Sequence, residues 1–143
     1  MKATLLNEGD ERTFALVFDV GDETMAGLTA FADEHRVGAA QFTAIGAFSG
    51  AVLGFFDWET KEYRRIPVKE QVEVLSLIGD IALDNGQPKV HAHVVVGLAD
   101  GTTRGGHLMT GHVRPTLEVI LVESPQRLQR VYDPNSGLAL IRV

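Results

Sequence analysis

The chain contains no cysteine. Disulfides, thiolate zinc sites, iron–sulfur clusters and a cysteine nucleophile are therefore excluded. Any bound metal must be held by histidine and carboxylate side chains. Positive charge is also scarce: 13 Lys and Arg stand against 19 Asp and Glu, for a net charge of −6. A surface that neutralises DNA phosphates carries a basic face, because counterion release dominates non-specific affinity. The densest basic cluster, Lys61, Arg64 and Arg65, is interrupted by Glu62 and Tyr63, as on an exposed strand. DNA as a partner thus gains no support from charge. No apolar run reaches membrane-spanning length and no basic, apolar leader opens the sequence, so a soluble cytoplasmic protein is expected. There is no Walker A sequence, and Ser49, Ser76, Ser124 and Ser136 lack a nucleophile-elbow context.

What is present is globular. The 143 residues are 45% hydrophobic and 22% charged, which fits one domain with a real core. Thr13 to Val20 alternates apolar and polar residues and reads as a strand. Asp22 can cap a helix running to about Arg36, with Met25, Leu28, Phe31 and Ala32 inward and Gly38 as its left-handed stop. Phe42 to Phe48 and Ala51 to Trp58 read as two strands around Gly46 and Gly50, followed by a hairpin partner, Glu62 to Pro67. Val72 to Leu83 reads as a strand bulged at Gly79. Lys89 to Leu98 and Thr103 to Met109 form a hairpin around Asp100-Gly101, Thr116 to Val122 a further strand, and Leu138 to Val143 a last short one. The expected class is α+β: a single domain with a twisted, mainly antiparallel sheet of seven or eight strands and one main helix. Strands this apolar on both faces predict a homo-oligomer.

The chemistry concentrates in VHAHVVVGLADGTTRGGHLMTG, residues 90–111. His91 and His93, two residues apart on a strand, point to one face. His107, returned by the hairpin, would complete a facial set of three nitrogen ligands for a transition metal. Register decides whether it does. A two-residue Asp100-Gly101 loop pairs Ala99 with Thr102 and turns His107 to the opposite face. A one-residue shift, from a three-residue loop or a bulge, turns it back, and Gly105-Gly106 is the natural place for a bulge. Among the remaining histidines, His112 is a candidate fourth ligand or base near the next turn, and His35 ends the helix. Glu118 is the nearest downstream strand carboxylate. A histidine pair on a hairpin also occurs in cupins, but the glutamate they carry a few residues later is missing from Val94 to Leu98.

The run VHAHVVVGLADGTTRGGHLMTGHVRPTLEVIL resembles the signature of the PPC (plants and prokaryotes conserved) domain: a histidine pair, a DG turn, a GGHL segment and a T-x-E strand. Upstream, AIGAFSGAVLGFFDWETKEY and VEVLSLIGDIAL resemble further motifs of that family in the same order. The likeness runs from about Arg12 to Glu123. It implies an α/β fold around an antiparallel sheet, assembly as a homotrimer, and a metal, commonly zinc, at His91, His93 and His107. An open position at such a metal would take water or a small-molecule ligand. Hydrolase or lyase chemistry could follow there, with Glu118 or His112 as proton acceptor. Plant relatives join the domain to an AT-hook. This chain has no such hook, its one Arg-Pro, Arg114-Pro115, being placed between strands. The alternative function is a non-enzymatic, DNA-associated or transcription-linked interaction module.

Overall fold

Period-two alternation carries most of the chain into strands. The structure is a computed structural model that describes residues 1–9 and 11–142. In chain order its elements are β1 (Lys2–Glu8), β2 (Arg12–Phe18), α1 (Thr24–His35), β3 (Ala39–Asp57), β4 (Glu62–Val68), β5 (Val72–Asp84), β6 (Gln87–Gly97), β7 (Thr103–Glu123), β8 (Gln129–Asp133) and β9 (Leu138–Arg142). The strands form one sheet in the order β1-β2-β7-β3-β5-β8-β9, with β4 on β3 and β6 between β5 and β7. All pairings are antiparallel except β5 with β8. The expected α+β class is what the chain adopts, with nine strands among the described residues.

Two long strands account for much of the difference from the sequence reading. Residues 42–48 and 51–57 belong to one strand, β3, with Trp58 in the turn beyond it, and residues 103–109 and 116–122 to one strand, β7. Gly46 and Gly50 do not reverse the chain. They lie where the β3–β7 register slips and the strands stay paired. Arg114-Pro115, whose peptide bond is cis, lies inside β7 rather than between strands. Strands β1 and β8 have no counterpart among the strands read from the sequence. Val143, assigned above to the last strand, lies outside the described residues.

The ends of the helix also differ. Glu23, not Asp22, is the cap: its carboxylate accepts from the backbone N–H groups of Met25 (3.2 Å) and Ala26 (2.8 Å). It reaches further to the N–H of Gly111 on β7 (2.9 Å), while buried Thr24 donates to the Gly111 carbonyl (3.0 Å). The shorter Asp22 side chain is occupied one turn earlier by the N–H of Asp19 and by the N-terminal ammonium. At the other end Arg36, at φ 54°, takes the left-handed position assigned to Gly38. A side chain at Gly38 would crowd Arg127, and its carbonyl accepts from Leu128.

One face of the sheet packs with α1 around Leu16, Phe18, Leu28, Phe31, Phe42 and Leu108, all essentially inaccessible. Each such side chain contributes about 1.5–3 kcal/mol by leaving water. The other face is only partly covered. Val17, Ile45, Leu75, Ile78, Val95 and Ile120 are exposed on it. Ile120, Thr43, Ile78 and His93 form one cross-strand row. Because β3 and β6 each pair with both β5 and β7, these four strands close into a ring. Among the described residues no helix is long and apolar enough to cross a membrane.

Candidate metal centre

The β6–β7 connection fixes where His107 points. The Leu98 N–H donates to the Thr102 carbonyl (2.8 Å), and the Gly101 N–H to the Leu98 carbonyl (2.9 Å). Asp100 accepts from the N–H and hydroxyl of Thr102. Gly101 sits at φ +81°, in the left-handed region that closes a three-residue hairpin loop. The loop is thus Ala99-Asp100-Gly101, and the ladder runs Gly97 with Thr103 down to His93 with His107. Directly opposed residues share a face, so His107 joins His93 and His91. The register shift expected at Gly105-Gly106 comes instead from the turn, since both glycines lie in an uninterrupted ladder with Val95 and Val94. Their smallness serves close approach: a Cβ on Gly106 would stand 2.7 Å from the Gly54 carbonyl oxygen.

The three rings gather tightly. His91 and His107 stack with centroids 5.2 Å apart, and His93 meets them edge-on at 5.1 and 5.6 Å. One ligand nitrogen from each lies within 4.8 Å of the others, and among the described residues this is the cluster able to hold an ion. Nδ1 of His107 is buried with no hydrogen-bond partner. An unprotonated imidazole nitrogen left alone in a dry place has a lone pair with no hydrogen-bond donor to meet it, and a metal ion can take up that pair instead. Three neutral imidazole nitrogens without thiolates suit a first-row transition ion such as zinc, copper, iron or nickel.

Neighbouring groups set the rings. Asp80 is the cross-strand partner of His91 and brings Oδ2 to 3.4 Å from its Nδ1. A carboxylate on Nδ1 leaves Nε2 to face an ion. Asp80 also accepts from Arg130 of β8, whose side chain is only 8% exposed. Burial pushes the Asp80 carboxyl up, but the hydrogen bond from His91 and the charge and hydrogen bond of Arg130 bring its pKa below the ordinary value. Tyr63 of β4 lies tilted against His107, with ring centroids 4.8 Å apart. Burial, and then the charges of His91, His93 and Lys89, push the His107 pKa down to about 4. Burial and His91 lower that of His93.

Gly79 lies beside this group for a packing reason. A Cβ there would come within 2.4 Å of the His91 carbonyl and closer still to the Phe42 ring. The bulge expected at Gly79 falls instead between Val74 and Ser76. Glu118 is not brought to the histidines. It is exposed between Val17 and Ile45, with β3 and β5 separating it from β6. His112 is exposed within β7, not in a turn, opposite Gly50. Sequence reasoning missed Asp80, Tyr63 and Arg130 as neighbours of the site. Only Asp80 carried a signal, being a carboxylate inside an otherwise apolar strand.

Two depressions flank the rings. One, of about 570 Å³, is lined by Thr43, Ile78, Asp80, His91 and His93 on the outer face. The other, of about 590 Å³, lies between β4, β6, β7 and the β8–β9 hairpin, with His91 and His107 in its wall.

A family model described as the Plants and Prokaryotes Conserved (PCC) domain matches residues 6–125. A crystal structure of a plant- and prokaryote-conserved protein of Pyrococcus horikoshii is 33% identical, with a TM-score of 0.87 over 96% of this chain and 98% of that one. A metal-containing protein of Archaeoglobus fulgidus is 35% identical, with a TM-score of 0.85 over 92% of this chain and 93% of that one. A protein of Bacteroides thetaiotaomicron, described as a candidate DNA-binding protein, is 27% identical, with a TM-score of 0.88 over 98% and 96%. The bifunctional protein GlmU of a Synechococcus strain is 33% identical over 135 residues, which are 92% of this chain. The chain spans only 20% of that relative's length.

Proposed function

The chain belongs to the Plants and Prokaryotes Conserved (PCC) domain family, and from that footing we propose that it is a homotrimeric protein holding zinc at His91, His93 and His107, beside a small-molecule site. The observation that carries the metal reading is the set of three imidazole nitrogens within 4.8 Å of one another. The lone buried Nδ1 of His107 supports it. When bound, zinc would supply a Lewis acid able to serve a hydrolase or lyase. The chain's own residues prepare that position. Asp80 turns His91, Tyr63 lies against His107, and the lowered pKa values keep His93 and His107 neutral at physiological pH. The description of the Archaeoglobus relative as metal-containing agrees. The exposed apolar row around Ile78 and Ile120 supports self-association.

Metal analysis of protein purified without chelators is the test. One zinc per chain is expected, and His91→Ala and His107→Ala should each remove it while the protein stays folded. A metal-free wild type that takes up no zinc would sink the reading. A second reading, DNA association without an AT-hook, is favoured by the description of the Bacteroides relative. A mobility shift that weakens steeply with salt is its expected outcome, and no shift at low salt ends it.

A further inference from the structure

We propose that the cavity between β4, β6, β7 and the β8–β9 hairpin binds a small organic anion, a carboxylate or phosphate, held by Arg65 and Lys89 beside the three histidines. The inference rests on the zinc reading for what lies at the inner end of the cavity, but not for the cationic lining itself.

The register places the groups. Arg65 on β4 pairs with Gly54 on β3, Gly54 pairs with His107 on β7, and His107 pairs with His93 on β6. These four residues form one cross-strand row, so Arg65 and the histidines share a face. Lys89 precedes His91 by two residues on β6 and shares that face as well. Arg64, one residue away on β4, faces the other side and pairs with Asp57. Gly54 contributes no side chain between Arg65 and His107, and a Cβ there would meet the Tyr63 ring at 2.9 Å.

The charge in the cavity runs against that of the whole chain. In a protein of net charge −6, the cavity wall carries Arg65 and Lys89 against one carboxylate, Asp84, with the charge of Arg130 taken up by Asp80. Among the described residues Arg65 and Lys89 make no ion pair, whereas Arg12, Arg64 and Arg130 each do. Arg130 is held in place by Asp80 and by the Ala139 carbonyl, and its buried Nε has no partner. Its charge is met by Asp80, which leaves exposed Arg65 and Lys89 as the cations that can reach a ligand. Two unpaired cations converging on a cavity of about 590 Å³ call for an oxyanion on a molecule of modest size.

The test titrates the full chain, zinc-loaded and metal-stripped, with malonate and separately with inorganic phosphate, following heat of binding. Saturable binding of at least one probe is expected in both forms. The double variant Arg65→Gln/Lys89→Gln should weaken it by about tenfold or more. Zinc content should not change, and Arg64→Gln should bind as wild type does. The two probes tell a carboxylate site from a phosphate site. Equal affinity in the double variant and wild type overturns the proposal, as does no binding of either probe. Binding confined to the zinc-loaded form and indifferent to the double variant assigns the anion to the metal alone and also overturns it. If the wild type takes up no zinc, the zinc reading fails, and the metal-stripped titration still decides the cavity. Both substituted side chains are exposed, and the single Arg65→Gln serves if the double variant melts early.

Discussion

His107 is a histidine whose surroundings disfavour its charge. Burial first, then the positive charges of His91, His93 and Lys89, hold its pKa near 4 in the folded chain, against about 6.5 for an unfolded histidine. Between those values the unfolded state binds more protons than the folded one, so stability falls as pH drops through that window. His93, lowered for the same reasons, adds to the same slope. Metal-free protein should therefore lose stability from about pH 6.5 towards pH 4, more than a His107→Gln variant does over that range. Chemical denaturation at several pH values checks this, and parallel curves for the two proteins would refute it. Above the window the same depressed pKa leaves a neutral nitrogen ready for a cation. Zinc binding should therefore face little proton competition at neutral pH.

At the scale of elements, the hairpin loop decides which face the histidines share. Gly101 at φ +81° makes the third loop residue possible, and a β-branched side chain there meets backbone strain. Gly101→Val should lower the melting temperature by roughly 3–8 °C, while Gly101→Asn, which tolerates the left-handed region, should sit much nearer wild type. Thermal unfolding of both variants settles it, and equal losses would refute the assignment. The same loop marks how much the sequence disclosed. Asp100-Gly101 announced a turn, and the His91/His93 spacing announced a shared face. Whether the loop held two residues or three was not legible, because that dipeptide serves both. The glycines at 46, 50, 105 and 106 read as punctuation, yet they permit register slips and close approach within continuous strands. Asp80 and Arg130 meet only because β8 pairs in parallel with β5, a long-range contact with no local pattern.

For the molecule as a whole, the outer sheet face is the unfinished surface. Ile45, Ile78, Val95 and Ile120 lie exposed together in the single chain, and a second copy would remove them from water. Light scattering should report about three chains per particle for wild type and a shift towards one for Ile78→Lys/Ile120→Lys. Identical masses for the two would remove this face from the assembly. A different consequence follows from the ring of β3, β5, β6 and β7. Both histidine-bearing strands are flanked on each side by backbone pairing, so the three imidazoles are positioned by hydrogen bonds that owe nothing to an ion. A zinc finger gathers its ligands as it folds around the metal. Here the gathering belongs to the closed sheet, so an ion taken up by the three rings would be a removable guest of a finished scaffold.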